Sequence, residues 1–202
     1  MKTKLTLLLL FILLFSNRIF AQTALLDSLT LDTVTAFTSI EEAMKHQNDV
    51  IKLELKRSRL KKFPMEILMF PNLQYLDLSK NNISDIPKEI AELKNLQYLS
   101  LSKNKLEDLP IEIGQLTNLY YLNLSQNEMT VLPNTIGNLV NLKTLDMWSN
   151  NVDKFPDEMK NMKSLQVLDL RVIMIPDKEQ AKLQKLLPET RIEFTPFCKC
   201  QQ

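Results

Sequence analysis

The chain has 202 residues, 45% of them hydrophobic and 24% charged, with a formal net charge of +1. That length suffices for one well-buried core, and the composition is ordinary for a water-soluble protein. Two glycines exclude a Gly-rich phosphate loop, and the balanced charge lacks the basic excess of a nucleic-acid binder.

The chain begins MKTKLTLLLLFILLFSNRIFAQ. Lys2 and Lys4 precede an apolar run from Leu5 to Phe15, which Ser16, Asn17 and Arg18 end. This pattern predicts a secretory signal peptide over 1–21, cleaved after Ala21. The run is far shorter than the ~20 residues of a membrane-spanning helix, so no span is expected in the mature chain. No cysteine follows it, which argues against a lipoprotein anchor. Losing Lys2, Lys4 and Arg18 leaves 22 basic and 24 acidic residues, a net of −2. The expected location is secreted or periplasmic. Residues 22–35 carry little pattern and are read as a linker. In 36–49, Ser39 and Glu42 fit a capping box, and Ile40, Ala43 and Met44 give one apolar face. A helix over 39–47 is predicted as an N-terminal cap.

From Val50 the sequence repeats. Segments begin at Val50, Leu73, Leu96, Leu119, Leu142 and Leu165, always 23 residues apart. The middle four read L-x-x-L-x-L/M-x-x-N-x-φ-x-x-φ-P-x-x-φ-x-x-φ-x-x, with φ apolar. Leu73, Leu76 and Leu78 put apolar groups on one side of a short strand, and alternation sends Tyr75, Asp77 and Ser79 to the other. Asn81, Asn104, Asn127 and Asn150 fall where the strand must turn. An amide side chain donates and accepts, so stacked copies make a ladder. Pro64, Pro87, Pro110, Pro133 and Pro156 fix φ and remove a donor, which suits a short helical or irregular return path. One unit cannot bury its own apolar face, but a stack can. The strands then run in parallel. Because strands pack more closely than return segments, the stack curves with its sheet on the inner side.

These motifs resemble the leucine-rich repeat family, subclass of 23-residue repeats, over about 50–175. The signal peptide and ends look like those of secreted bacterial members. The resemblance implies an α/β fold: a right-handed curved solenoid with a concave parallel sheet and short helical or irregular convex segments. Repeats occupy 50–172. Residues 173–202 make a C-terminal cap and tail, in which Ala181, Leu183, Leu186 and Leu187 are spaced for a helix that Pro188 stops, and 191–195 alternates as a seventh strand. The tail holds the only cysteines, Cys198 and Cys200. One intervening residue gives poor disulfide geometry, so a strained bridge, an intermolecular bridge and free thiols all stay open. Four metal ligands are not assembled there.

No catalytic constellation is present, and His46 is the sole histidine. No enzyme activity, cofactor or metal site is expected. The function expected is protein–protein binding through the concave face. The alternative is a structural envelope or matrix component that self-associates, with the cysteines as its link. On the concave face one column holds Lys52, Tyr75, Tyr98, Tyr121, Thr144 and Val167. The next holds Glu54, Asp77, Ser100, Asn123, Asp146 and Asp169, and the third Lys56, Ser79, Ser102, Ser125, Trp148 and Arg171. Tyrosine and tryptophan are enriched at interfaces, so Tyr75, Tyr98, Tyr121 and Trp148 are the candidate anchors. Asp146, Asp169 and Arg171 are the candidate specificity charges. Two alternatives stand beside this: a tyrosine ladder that only stabilises the sheet, and a Trp148 ring stacked on Arg171.

Overall fold

The structure is a computed structural model that describes residues 24–195. The expected signal peptide and both cysteines lie outside the described residues. Seven strands form one parallel sheet in chain order: β1 Lys52–Glu54, β2 Tyr75–Asp77, β3 Tyr98–Ser100, β4 Tyr121–Asn123, β5 Thr144–Asp146, β6 Val167–Leu170 and β7 Arg191–Phe194. Register follows the sequence period from β1 to β6: Lys52, Tyr75, Tyr98, Tyr121, Thr144 and Val167 pair in succession. The last step is longer by one residue, with Val167 opposite Arg191. There the return path is an α-helix, Asp177–Leu186, in place of a 3-10 turn.

Each earlier return path is a five-residue 3-10 helix entered from a proline, as in Lys88–Glu92 after Pro87 and Asn134–Asn138 after Pro133. The proline φ is already near the required value and the missing N–H is not needed there. Its carbonyl accepts from the apolar residue three positions on, such as Ile90 or Ile136. These apolar residues and the strand leucines make one continuous core from Ala43 to Leu187. Gly114 and Gly137 mark where successive return paths touch. A Cβ at Gly137 would lie 2.2 Å from the Glu158 carbonyl oxygen, and one at Gly114 2.3 Å from that of Thr135. Only glycine permits that approach.

The asparagine ladder binds coil to coil. Asn127 Nδ2 donates to the Leu101 carbonyl at 3.0 Å and the Leu124 carbonyl at 2.8 Å, while its Oδ1 accepts from Leu106 N at 3.1 Å. Asn81, Asn104 and Asn150 repeat this pattern.

The N-terminal sheet edge is covered. Phe37 makes a parallel bridge with Leu53, its N–H donating to Lys52 O and its carbonyl accepting from Glu54 N. A short helix, Ile40–Lys45, follows, with Ser39 Oγ accepting from Glu42 N. At the far end β7 is the edge strand. Ahead of these, the structure departs from the expected linker: Ser28–Thr33 is a helix capped by Asp27, and Leu31 within it is fully buried. Leu31 does not belong to the central core cluster. We refer to residues 24–33 as the strap. No helix among the described residues is long and apolar enough to cross a membrane.

Candidate functional site

The inner face carries the three columns in register, and the columns behave differently. In the first, Tyr75 and Tyr98 stack with ring centroids 3.9 Å apart, and Tyr98 and Tyr121 follow at 4.5 Å, both within 3° of parallel. Lys52 Nζ sits 4.5 Å over the Tyr75 ring, closing that end. Parallel strands ~4.8 Å apart bring like residues to stacking distance, so the ladder is a direct consequence of the repeat. Burial pushes the Tyr98 hydroxyl above the usual phenol range, and its hydrogen bond with Tyr75 adds to this. Tyr75 is only 9% exposed, while Tyr98 and Tyr121 are half-buried.

The second column is tied to the backbone. Asp77, Asn123, Asp146 and Asp169 each accept, through Oδ1, the N–H two residues on, at 2.8–3.0 Å. This is the local turn chemistry of Asp and Asn side chains, and it holds the end of each strand. Asp146 differs from Asp169 in its charge environment. Burial pushes the Asp146 carboxyl up, its bond from Trp148 N opposes this, and the Asp169 charge raises it further. Burial also raises Asp169, but hydrogen bonds from the Arg171 side chain and backbone outweigh it and bring the carboxyl below its ordinary value.

The expected charges thus have defined roles. Arg171 clasps Asp169 through Nη2 at 2.6 Å and Nε at 3.0 Å, and reaches Glu193 of β7 at 3.3 Å. It does not stack on the indole: among the described residues the one cation over an aromatic ring is Lys52 on Tyr75. Trp148 is half-buried, and among the described residues no ring or cation lies against it. With Arg171, Val172 and Thr195 it lines an open hollow of about 500 Å³. Val172 belongs to a column of left-handed residues, Arg57, Lys80, Lys103, Gln126, Ser149 and Val172, all with φ between 54° and 61°. The first five are polar. Val172 is the one β-branched member, a residue type for which this backbone is an outlier, at a strain of order 1–3 kcal/mol. It is also 58% exposed. An apolar, strained and exposed residue therefore stands beside the unstacked tryptophan.

Asp146→Asn keeps the acceptor for Trp148 N, as Asn123 shows for Ser125. A carboxyl raised in the folded state binds its proton more tightly there than in the unfolded chain, so stability falls as pH rises through the folded value. The expected result is that Asp146→Asn gains stability relative to wild type between pH 3 and pH 7, measured as thermal midpoint against pH. A constant difference across that range would contradict the charge assignment.

Residues that sequence reasoning did not single out border the face. Gln74 and Gln97 precede β2 and β3 and hold the strap. Gln74 Oε1 accepts from Leu26 N at 2.9 Å, its Nε2 donates to Ala24 O at 3.3 Å, and Gln97 Nε2 donates to Leu26 O at 2.9 Å. Lys52 Nζ donates to Asp32 O at 3.1 Å. Among the described residues no group of three His, Cys, Asp or Glu is placed to hold a metal ion.

Residues 49–190 match the model of a leucine-rich repeat region. Among solved structures, a leucine-rich repeat protein of Leptospira interrogans is similar at 35% identity and a TM-score of 0.63, over 79% of this chain and 46% of that one. Internalin C2 of Listeria monocytogenes is similar at 26% identity and a TM-score of 0.65, over 75% and 64%. A plant peptide hormone receptor, RGFR1, solved in complex with RGF2, is similar at 28% identity and a TM-score of 0.61, over 80% and 26%. The chain thus spans less than two thirds of each of these proteins. No curated protein sequence matches it.

Proposed function

The chain belongs to the leucine-rich repeat family, and from that premise we propose that it is a secreted or periplasmic protein whose concave sheet binds another protein. The plant receptor above is seen in a complex, and a leucine-rich repeat fold is consistent with a protein–protein interaction domain. The contact centres on the C-terminal half of the face. The observation that carries this is Trp148: a half-buried ring with no stack among the described residues, beside exposed Val172, at the edge of an open hollow. Tryptophan in a desolvated pocket is a frequent hot spot. Asp146 and the Asp169–Arg171 pair flank the ring and set charge complementarity. Tyr121 extends the surface, while Tyr75 and Tyr98 lie toward the strap.

Affinity capture tests the reading, with the described chain as bait and an envelope extract as source. A partner retained by wild type and lost by Trp148→Ser, at equal folded fraction, supports it. The same protein set on both baits contradicts it.

A further inference from the structure

The strap is held by Lys52 of the inner face and by Gln74 and Gln97, which stand immediately before β2 and β3. One column shows this clearly. Gln74, Gln97, Tyr120, Lys143 and Gln166 occupy the same position in successive coils. Gln74 is fully buried and Gln97 nearly so, whereas Lys143 and Gln166 are exposed. The two that bond the strap are the two that are buried. The tyrosine column follows the same gradient: Lys52 and Tyr75 are buried, and Tyr98, Tyr121, Thr144 and Val167 are half-open. The strap therefore covers the N-terminal end of the concave surface and leaves the C-terminal end free.

Its attachment is of a particular kind. Gln74 and Gln97 bond only backbone atoms of Ala24 and Leu26, and Lys52 bonds the backbone of Asp32. An amide pair joined to each other at 2.9 Å and aimed at backbone N–H and C=O reads an extended chain of any sequence. Selectivity comes from a side chain, and here that side chain is Leu31, fully buried. Backbone bonds for affinity with a seated side chain for specificity is a recurring mode of peptide recognition. The strap helix has six residues, too short to be stable alone. Leu25 and Leu29 point outward, 43% and 79% exposed. A segment with so few anchors opens at low free energy. The groove it occupies continues past Leu25 and Ser28 along Asn118, Tyr120, Asn141 and Lys143.

We propose that Gln74 and Gln97 form a peptide-binding site in which the strap is a displaceable resident, and that the incoming ligand is a protein segment that is extended where Ala24 and Leu26 lie and then turns into a short helix carrying a leucine-like side chain in the place of Leu31. Displacement uncovers Tyr75 and Lys52 and extends the contact surface over the whole inner face. The biological sense of this rests on the concave face being a protein-binding surface, but its test uses neither Trp148 nor a captured partner. While attached, the strap competes as a tethered ligand at high effective concentration, so a free segment gains the site only when the strap is weakened.

The probe is a fluorescently labelled peptide of residues 24–34, ALLDSLTLDTV, read by anisotropy against the full chain. Leu31→Asp releases the strap. We expect the peptide to bind Leu31→Asp at least tenfold more tightly than wild type. Adding Gln74→Ala with Gln97→Ala to that variant should abolish binding, as should replacing the leucine at the Leu31 position of the peptide by aspartate. Equal binding to wild type and Leu31→Asp, or binding that survives loss of both glutamines, overturns the proposal. Hydrogen exchange at Leu99 and Leu122 in β3 and β4 is the accompanying measurement. Protection there should be unchanged in Leu31→Asp. Its loss would make the strap a structural cap, not a displaceable ligand, and would equally overturn the proposal. Peptide binding with no effect of Trp148→Ser on partner capture would leave this inference standing and remove the functional reading.

Discussion

Asn127→Ala is expected to destabilise the solenoid by about 2–5 kcal/mol. The change removes three donated bonds, the one to the Ser125 carbonyl being long at 3.4 Å, and one accepted bond. The Leu101 and Leu124 carbonyls keep a second donor, Asn104 or Asn150. The Leu106 N–H does not, and it sits beside a fully buried side chain. An unsatisfied buried donor costs about 1–3 kcal/mol, and each lost hydrogen bond adds about 0.5–1.5 kcal/mol. For a domain of this size, 1 kcal/mol moves the thermal midpoint by roughly 2–4 °C. A fall of roughly 5–15 °C follows, measured by circular dichroism. The exposed neighbour is the control: Asn151→Ala should stay within about 0.5 kcal/mol of wild type. Equal effects at 127 and 151 would remove the ladder from the account of stability.

Trp148→Ser is expected to weaken partner binding roughly 30- to 1000-fold, which corresponds to about 2–4 kcal/mol for a buried aromatic hot spot. The scaffold should accept the change, because Ser79, Ser102 and Ser125 fill the same column in three consecutive coils. Truncating Tyr98 would be a poorer test, since its ring stacks on both neighbours and its loss would disturb the sheet as well as any interface. Titration calorimetry with the captured partner reads the Trp148 effect. An affinity change under threefold would place the contact elsewhere on the molecule.

The solenoid is legible in the sequence because one physical requirement recurs in every coil. Six coils send apolar groups inward at one spacing, the middle four turn at an asparagine and the first five return after a proline, so the repeated pattern specifies the sheet and its register. The pattern weakens where coils stop being equivalent. The step from β6 to β7 gains a residue because a ten-residue helix replaces a 3-10 turn, and no period announces that. The strap falls within 22–35, which reads as a linker in the sequence because it has no repeat to belong to. Its signals are local and weak: Asp27 three residues before Thr30, and the leucines at 25, 26, 29 and 31. Gln74 and Gln97 stand in the sequence as ordinary polar members of an outward column. What distinguishes them is a segment about 50 or 70 residues away in the chain, and a long-range contact of that kind leaves no local trace.

The site residues divide in the same way. Trp148 is visible as a departure from a serine column, and among the described residues nothing stacks on its ring. Asp146 and Asp169 were read as specificity charges, and both also hold the backbone two residues on. The alternation of Asp and Asn in that column is the mark of this second role, since either side chain offers the same acceptor. The pairing of Arg171 with Asp169 and Glu193, and not with the indole, follows from two carboxylates lying within its reach on β6 and β7.

Trp148 is the only tryptophan in the chain, so its fluorescence reports on one ring. The most direct measurement is acrylamide quenching of that fluorescence, free and in a saturated complex with a tryptophan-free segment of the captured partner. If the C-terminal half of the concave face is the contact surface, the quenching constant falls severalfold in the complex. An unchanged constant at full occupancy would contradict it.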